Sequence, residues 1–261
     1  MSVKIFAILQ ARMGSTRLPG KALLPIFQGR GALELMLLRL RGCRKLFGLA
    51  VATTTETMDD PLEALCRQQG VPCFRGQVDD VLDRYYQAAR SCGTPEVLVR
   101  LTGDCPLHDP EVVDRVIARF LEGGVDYASN VDPPSYPDGL DTEVFSFVTL
   151  ERAWKAAQLK SEREHVTPYI WNHPDIFRRG NVTNTDNLAG MRWTLDEPRD
   201  LDFVRAVYAR MGRVDFGLND VLDLLAAEPG LAELNSGIRR NEGYEKSLKE
   251  DGAAGAAAKE K

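Results

Sequence analysis

The sequence predicts an α/β fold, a mainly parallel sheet flanked by helices, with an inserted antiparallel and helical element in its second half. Three observations carry this. Apolar runs of strand length alternate with helical periodicities from Val3 to Gly124. The run Val97, Leu98, Val99, Leu101 is nearly continuous, as in a parallel strand buried on both faces. The chain's charged and glycine-bearing stretches follow directly after strand ends, where ligands bind in such sheets.

Val3 to Leu9 reads as the first buried strand. The stretch Gln10-Ala11-Arg12-Met13-Gly14-Ser15-Thr16-Arg17-Leu18-Pro19-Gly20-Lys21 leaves it. Gly14 and Gly20 let the backbone turn and approach a ligand, and Arg12, Arg17 and Lys21 can answer a triphosphate. No G-x-G-x-x-G and no G-x-x-x-x-G-K-[ST] is present, which disfavours a dinucleotide fold or a P-loop ATPase. Leu33, Met36, Leu37 and Leu40 mark a helix; Leu49 to Thr53 is a second strand. Asp59-Asp60-Pro61 supplies an N-cap and a first-turn proline for a helix ending at Gly70. Val71 to Phe74 is a third strand, and Val81, Leu82, Tyr85 and Ala89 form a helix that stops near Gly93.

Glu96 to Leu101 leads into Thr102-Gly103-Asp104-Cys105-Pro106. A carboxylate past the tip of a central strand either caps a turn or holds a hard cation beside a phosphate. Asp109-Pro110 begins the next helix, which ends at Gly123-Gly124. From Val125 the period changes: a proline-rich loop precedes Asp141 to Phe147, which alternates like a half-exposed strand. Leu150, Ala153, Trp154 and Ala157 form a helix, and Glu162 to Trp171 a second one interrupted by Pro168. His165 there reads first as a hydrogen-bonded structural histidine, and Tyr127 and Tyr136 as packing residues. Ile176 to Val182 and Met191 to Leu195 read as strands. The second ends at Asp196, a good N-cap for the helix carrying Leu201, Val204, Val207 and Tyr208. A short helix spans Val221 to Ala227, and 245–261, rich in Ala, Gly, Lys and Glu, reads as a tail outside the fold.

At 261 residues with 44% hydrophobic content the chain can bury a sizeable core. A net charge of −5 argues against nucleic acid or an anionic membrane as partner, so the cations of the first loop stand out as local. The five cysteines lack C-x-x-C spacing and the three histidines show no ligand pattern, which disfavours a zinc site and predicts buried free thiols. No run reaches the roughly 18 apolar residues of a membrane span, and no leader pattern precedes the first strand. The expectation is a cytoplasmic protein.

The Gln10–Lys21 loop closely resembles the nucleotide loop of the cytidylyltransferases that activate sugar acids: the CMP-Kdo and CMP-sialate synthetases and, most of all, their spore-coat-polysaccharide-type homologues. The resemblance spans about residues 3–210, and Leu195-Asp196-Glu197-Pro198, Asp138-Gly139-Leu140-Asp141-Thr142-Glu143 and Glu164-His165-Val166-Thr167-Pro168-Tyr169 look like motifs of that group. It implies a Rossmann-like, GT-A-like nucleotidyltransferase domain over 1–244, with about 125–182 as its substrate and dimerisation insertion. It also implies CTP and a sugar acid as substrates, Mg²⁺ as cofactor and a homodimer. By position it places Gln10, Ala11, Arg12, Gly14, Ser15, Arg17, Lys21 and Thr53 on the nucleotide, with Arg12, Lys21 and Asp104 as the catalytic set. It places Arg75, Arg100, Glu143, Arg163 and His165 toward the acceptor, and Asp104 and Asp196 on the metal.

The chain departs from true CMP-Kdo synthetases, which carry a serine-glycine-threonine-acid-arginine motif where this sequence has Arg75-Gly76-Gln77-Val78-Asp79, and Gln-Gly-Asp where it has Thr102-Gly103-Asp104. The expected reaction is CMP transfer from CTP to a nonulosonic or Kdo-like acid. Rival readings are a nucleotidyltransferase for a sugar phosphate or other alcohol, a non-catalytic nucleotide-sugar-binding protein, and a metal-dependent glycosyltransferase.

Overall fold

The computed structural model describes residues 3–238, 240 and 242–259. Strands β1 (Ile5–Gln10), β2 (Gly48–Thr54), β3 (Cys73–Gly76), β4 (Val97–Thr102), β5 (Tyr127–Ser129), β6 (Glu143–Ser146) and β7 (Arg179–Asn181) form one sheet in the order β3-β2-β1-β4-β6-β5-β7. The first four in that order are parallel; β6 runs antiparallel between β4 and β5, and β7 is parallel to β5.

Alternating side chains decide which helix covers which face. Ala7, Leu9, Val51, Val99 and Leu101 pack with α1 (Ala32–Leu40), α2 (Asp60–Gln69) and α4 (Pro110–Leu121). Ile8, Ala50, Ala52 and Leu98 face α3 (Val81–Ser91), α5 (Phe147–Ala156) and α7 (Pro168–Asn172), and α6 (Lys160–His165) packs on α3. Each fully buried aliphatic side chain contributes about 1.5–3 kcal/mol. A third cluster around Trp193, Phe203 and Tyr208 joins α8 (Pro198–Met211), α9 (Leu218–Ala227) and α10 (Gly230–Glu233).

Several expectations are corrected here. The 125–182 insertion is continuous with the main sheet. Its strand β6 is buried rather than half exposed, because Glu143, which produced the alternating pattern, lies inward against Arg100. Residues 191–195 form a single bridge, Asp138 to Arg192, because their backbone donors go to loop carbonyls. Helix 162–171 divides into α6 and α7, with Val166 between them at φ 73°.

The expected tail is instead most of α11 (Glu242–Lys259). It docks on α6 largely through polar bonds, Lys160 Nζ to Glu250 at 2.6 Å and Ser247 Oγ to Glu164 at 2.9 Å, which leave no apolar period in the sequence. Residues 1, 2, 239, 241, 260 and 261 of the expected domain and tail lie outside the described residues. No described helix is long and apolar enough to cross a membrane, and the five cysteines are free.

Candidate active site

The loop after β1 folds on its own backbone. The Met13 carbonyl accepts the N–H of Ser15 and of Gly20 at 2.9 and 3.0 Å, and Ser15 Oγ accepts the N–H of Leu18. Gly20 sits at φ 71°, where a side chain is strained. Gly14 does not: a Cβ there would meet only Met58 Sδ, at 3.5 Å. A further anchor comes from Asp59, at the start of α2. Its side chain makes no capping bond and turns inward, accepting from Met13 N at 2.7 Å and from Thr53 and Thr54. Thr53 is thereby fully buried with its hydroxyl committed, so it positions the loop instead of facing a nucleotide.

The loop after β4 runs alongside. Gly103 N donates to Gln10 O at 2.7 Å, and a Cβ at Gly103 would fall 2.8 Å from Ala11 Cβ. The third strand-like segment closes on this pair through Leu195 N to Asp104 O, also 2.7 Å. Asp104 and Asp196, 92 positions apart in sequence, are thus brought to one point, where Lys21 Nζ donates to Asp104 Oδ2 and Asp196 Oδ1 at 2.6 Å each.

Burial opposes the Lys21 charge, but Asp104 and Asp196 outweigh it and hold the ammonium above its ordinary pKa. Burial likewise works against the Asp104 carboxylate, and Lys21 outweighs it and keeps that carboxyl below the usual range. Arg17 lies 3.3 Å from Asp196 and 3.8 Å from Glu197. Asp196 is not the N-cap of α8. Glu197 holds that position, and the buried Asp200 accepts the N–H groups of both Asp196 and Glu197 at 2.9 Å, leaving the Asp196 side chain for the site.

From this point a cleft of about 570 Å³ runs along the ends of β4 and β6. Arg100, Glu143 and His165 line it. Arg100 pairs with Glu143 directly across the strand register, and Tyr127 and Thr167 each donate to the other Glu143 oxygen at 2.6 Å. Burial opposes the Arg100 charge, yet Glu143 raises its pKa, so the guanidinium stays ionised. Arg100 Nε is buried without a partner among the described residues. His165 is held below its ordinary pKa by burial and by Arg100, and its Nε2 lies 3.0 Å from Ser247 Oγ.

Arg75 and Arg163 do not reach the cleft. Arg75 binds Asp60 at 2.6 Å, Glu63 at 2.9 Å and the carbonyls of Thr54 and Glu56, pinning the turn after β2. Arg163 grips Asp80, the N-cap of α3, and the Trp154 carbonyl. Of the remaining nucleotide-loop residues, Arg12 is exposed, Ser15 is half-buried, Ala11 is buried, and Gln10 Oε1 is buried without a partner among the described residues.

Among the cleft residues not assigned from sequence are Arg192, Asp138, Asp141 and Arg240. Arg192 binds Asp200 at 2.9 and 3.0 Å, Asp138 at 3.1 Å and Asp196 at 3.3 Å. Asp138 is raised to about 7 by burial and by Asp141, against the pull of Arg240 and Arg192. Asp141 pairs with Arg240. Asp138 and Asp141 both belong to the Asp138–Glu143 motif, which was the available signal.

The chain is similar to the Bacillus subtilis spore coat polysaccharide biosynthesis protein SpsF, at 35% identity over 236 residues covering 87% of this chain and 96% of that one. It is similar to the solved structure of a cytidylyltransferase from Leptospira borgpetersenii, with a TM-score of 0.85 and 32% identity, covering 91% of this chain and all of that one. The fold is shared with a CMP:2-keto-3-deoxy-manno-octonic acid synthetase complexed with CTP, at a TM-score of 0.60 and 18% identity, covering 80% of this chain and 99% of that one. These neighbours bear out the expected Rossmann-like nucleotidyltransferase architecture. A cytidylyltransferase family model matches residues 6–215, from β1 through α8, and the chain belongs to that family.

Proposed function

We propose that the protein transfers CMP from CTP to the hydroxyl of a nonulosonic or Kdo-like sugar acid, releasing pyrophosphate, for surface polysaccharide synthesis. The observation that carries the reading is the meeting of Lys21, Asp104 and Asp196 at one point beside the basic loop. The acceptor oxygen attacks the α-phosphorus in line as the bond to the β-phosphate breaks. Alignment and neutralisation of phosphate charge account for most of the barrier lowering in such a step.

Lys21, Arg17 and Arg12 are the cations at hand for the triphosphate, with Arg17 and Lys21 already at the acidic point. The donor set there fits a hard divalent cation, because two carboxylates offer oxygens to a position filled by a positive nitrogen. Mg²⁺ held by Asp104 and Asp196 would neutralise α-phosphate charge and acidify the acceptor hydroxyl. With those carboxylates so engaged, Lys21 would be available to the phosphates. Arg100 and His165 then lie on the acceptor side. The similarity to SpsF supports the surface-polysaccharide role, and the family resemblance supports a homodimer.

The test is pyrophosphate release with Mg²⁺, comparing CTP, UTP, ATP and GTP against Kdo, sialic-type acids and phosphorylated alcohols. A CTP-specific signal with a sugar acid is expected. Turnover only with a phosphorylated alcohol would replace the acceptor class, and absence of nucleotide binding by calorimetry would remove the reading altogether.

A further inference from the structure

The far wall of the cleft comes from beyond the stretch that the family model matches, which stops at residue 215. Arg240, Gly243 and Tyr244 line it together with Arg100 and His165. The Tyr244 ring stands edge-on to His165, with centroids 5.2 Å apart, and to Trp171 at 5.7 Å. Arg240 donates to Asp141 and, at 3.2 Å, to the Tyr136 carbonyl, so the C-terminal segment and the Asp138–Glu143 motif are tied across the cleft. The Ser247 hydroxyl completes the attachment, between Glu164 and His165.

This wall pairs aromatic surface with carboxylates. The rings of Tyr244 and Trp171 offer an apolar platform, while Asp138 and Asp141 are acceptors for ligand O–H groups. Arg100 keeps one buried N–H unpartnered among the described residues, and Arg240 adds another guanidinium to the same space. Rings, hydroxyl acceptors and guanidinium donors together match a ring bearing several hydroxyls and one carboxylate.

We infer that the segment carrying Arg240, Tyr244 and Ser247 is the acceptor-selecting wall of the site. Tyr244 supplies the platform for the sugar ring, and Arg240 holds Asp141 in place and faces the acceptor's carboxylate. This rests on the sugar-acid reading above and extends it to residues beyond the family match. Because the attachment to α6 and α7 consists of hydrogen bonds and edge-on ring contacts and involves no strand, the wall can be altered without disturbing the sheet that carries the nucleotide loop.

The test compares the full-length protein with Arg240→Ala, Tyr244→Ala and Tyr244→Phe, using Kdo and N-acetylneuraminate as probes. Loss of a ring or of a charge-assisted bond is expected to raise the acceptor KM about tenfold, with CTP affinity by calorimetry unaltered. Tyr244→Phe, which keeps the ring, is expected to raise that KM less than Tyr244→Ala does. An unchanged acceptor KM in both alanine variants overturns the inference and leaves cytidylyl transfer standing. If the wild type turns over neither probe, amide hydrogen exchange of residues 243–251 with each acid present decides. Slowed exchange supports the wall and unaltered exchange overturns it, while CTP binding in the same samples reports separately on the nucleotide half.

Discussion

Replacing Lys21 with alanine removes the cation that joins the two halves of the site. Its Nζ lies 2.6 Å from an oxygen of Asp104 and from one of Asp196, so those oxygens are no farther apart than twice that distance. At an effective dielectric of about 20, two unit charges about 5 Å apart repel by about 3 kcal/mol. Arg17 and Arg192 remain on Asp196 and offset part of this. The side chains of Lys21, Asp104 and Asp196 are 14%, 24% and 21% exposed, and water screens them further. The net destabilisation is therefore about 2 kcal/mol, below the 3–5 of a fully buried broken pair.

For a chain of this size such a loss lowers Tm by about 5 °C. Thermal melts of wild type and Lys21→Ala, with and without millimolar MgCl₂, read it directly. Magnesium should restore much of the loss in the variant, since a divalent cation takes the place of the ammonium. Pyrophosphate release should fall because the triphosphate loses a partner. Equal melting of the two proteins, with no response to magnesium in either, would refute both the electrostatic argument and the metal assignment.

Asp104→Asn should abolish Mg²⁺-dependent turnover while the fold survives, because the backbone bond from Leu195 to the residue 104 carbonyl does not need the charge; circular dichroism and pyrophosphate release check the two halves of this expectation. Gly103→Ala should cost about 1–3 kcal/mol and lower turnover, since its methyl would meet Ala11 Cβ at 2.8 Å and Gln10 O at 2.9 Å and force the two loops apart; a Tm equal to wild type would refute it. His108, which is buried, is pushed down to about 4 by that burial. The unfolded chain, with an imidazole pKa of about 6.5, binds the proton first, so stability falls as pH drops from about 6.5 to 4, by about 3 kcal/mol in all. Melts at pH 7 and pH 5 should show about 2 kcal/mol of that loss in the wild type and a smaller one in His108→Gln.

The nucleotide half was legible in the chain because its parts are local. A strand, a glycine-bearing basic loop and a helix are contiguous between Val3 and Leu40, and Asp104 follows its strand directly. Periodicity and strand ends are short-range properties that one stretch of sequence carries by itself. Arg75 and Arg163 show where that reasoning stops. Both are arginines in family-like positions, yet each is consumed by carboxylates that the fold brings near, Asp60 and Glu63 for one and Asp80 for the other. Whether a guanidinium is available depends on neighbours distant in sequence.

Thr53 and Asp59 traded their expected tasks for the same reason. Asp59 reads locally as a helix cap, but its carboxylate satisfies the half-buried Met13 N–H and two threonine hydroxyls. The acceptor wall lay furthest from reach. Its segment has almost no apolar period, and its attachment consists of hydrogen bonds and edge-on rings whose partners lie some 80 to 100 positions away. The sequence alone determined the alternating fold, the basic loop and the two carboxylates. Tertiary structure decided that Lys21 bridges those carboxylates, which arginines are spent, and what closes the cleft, because charge pairing and burial are set by distances the chain acquires only on folding.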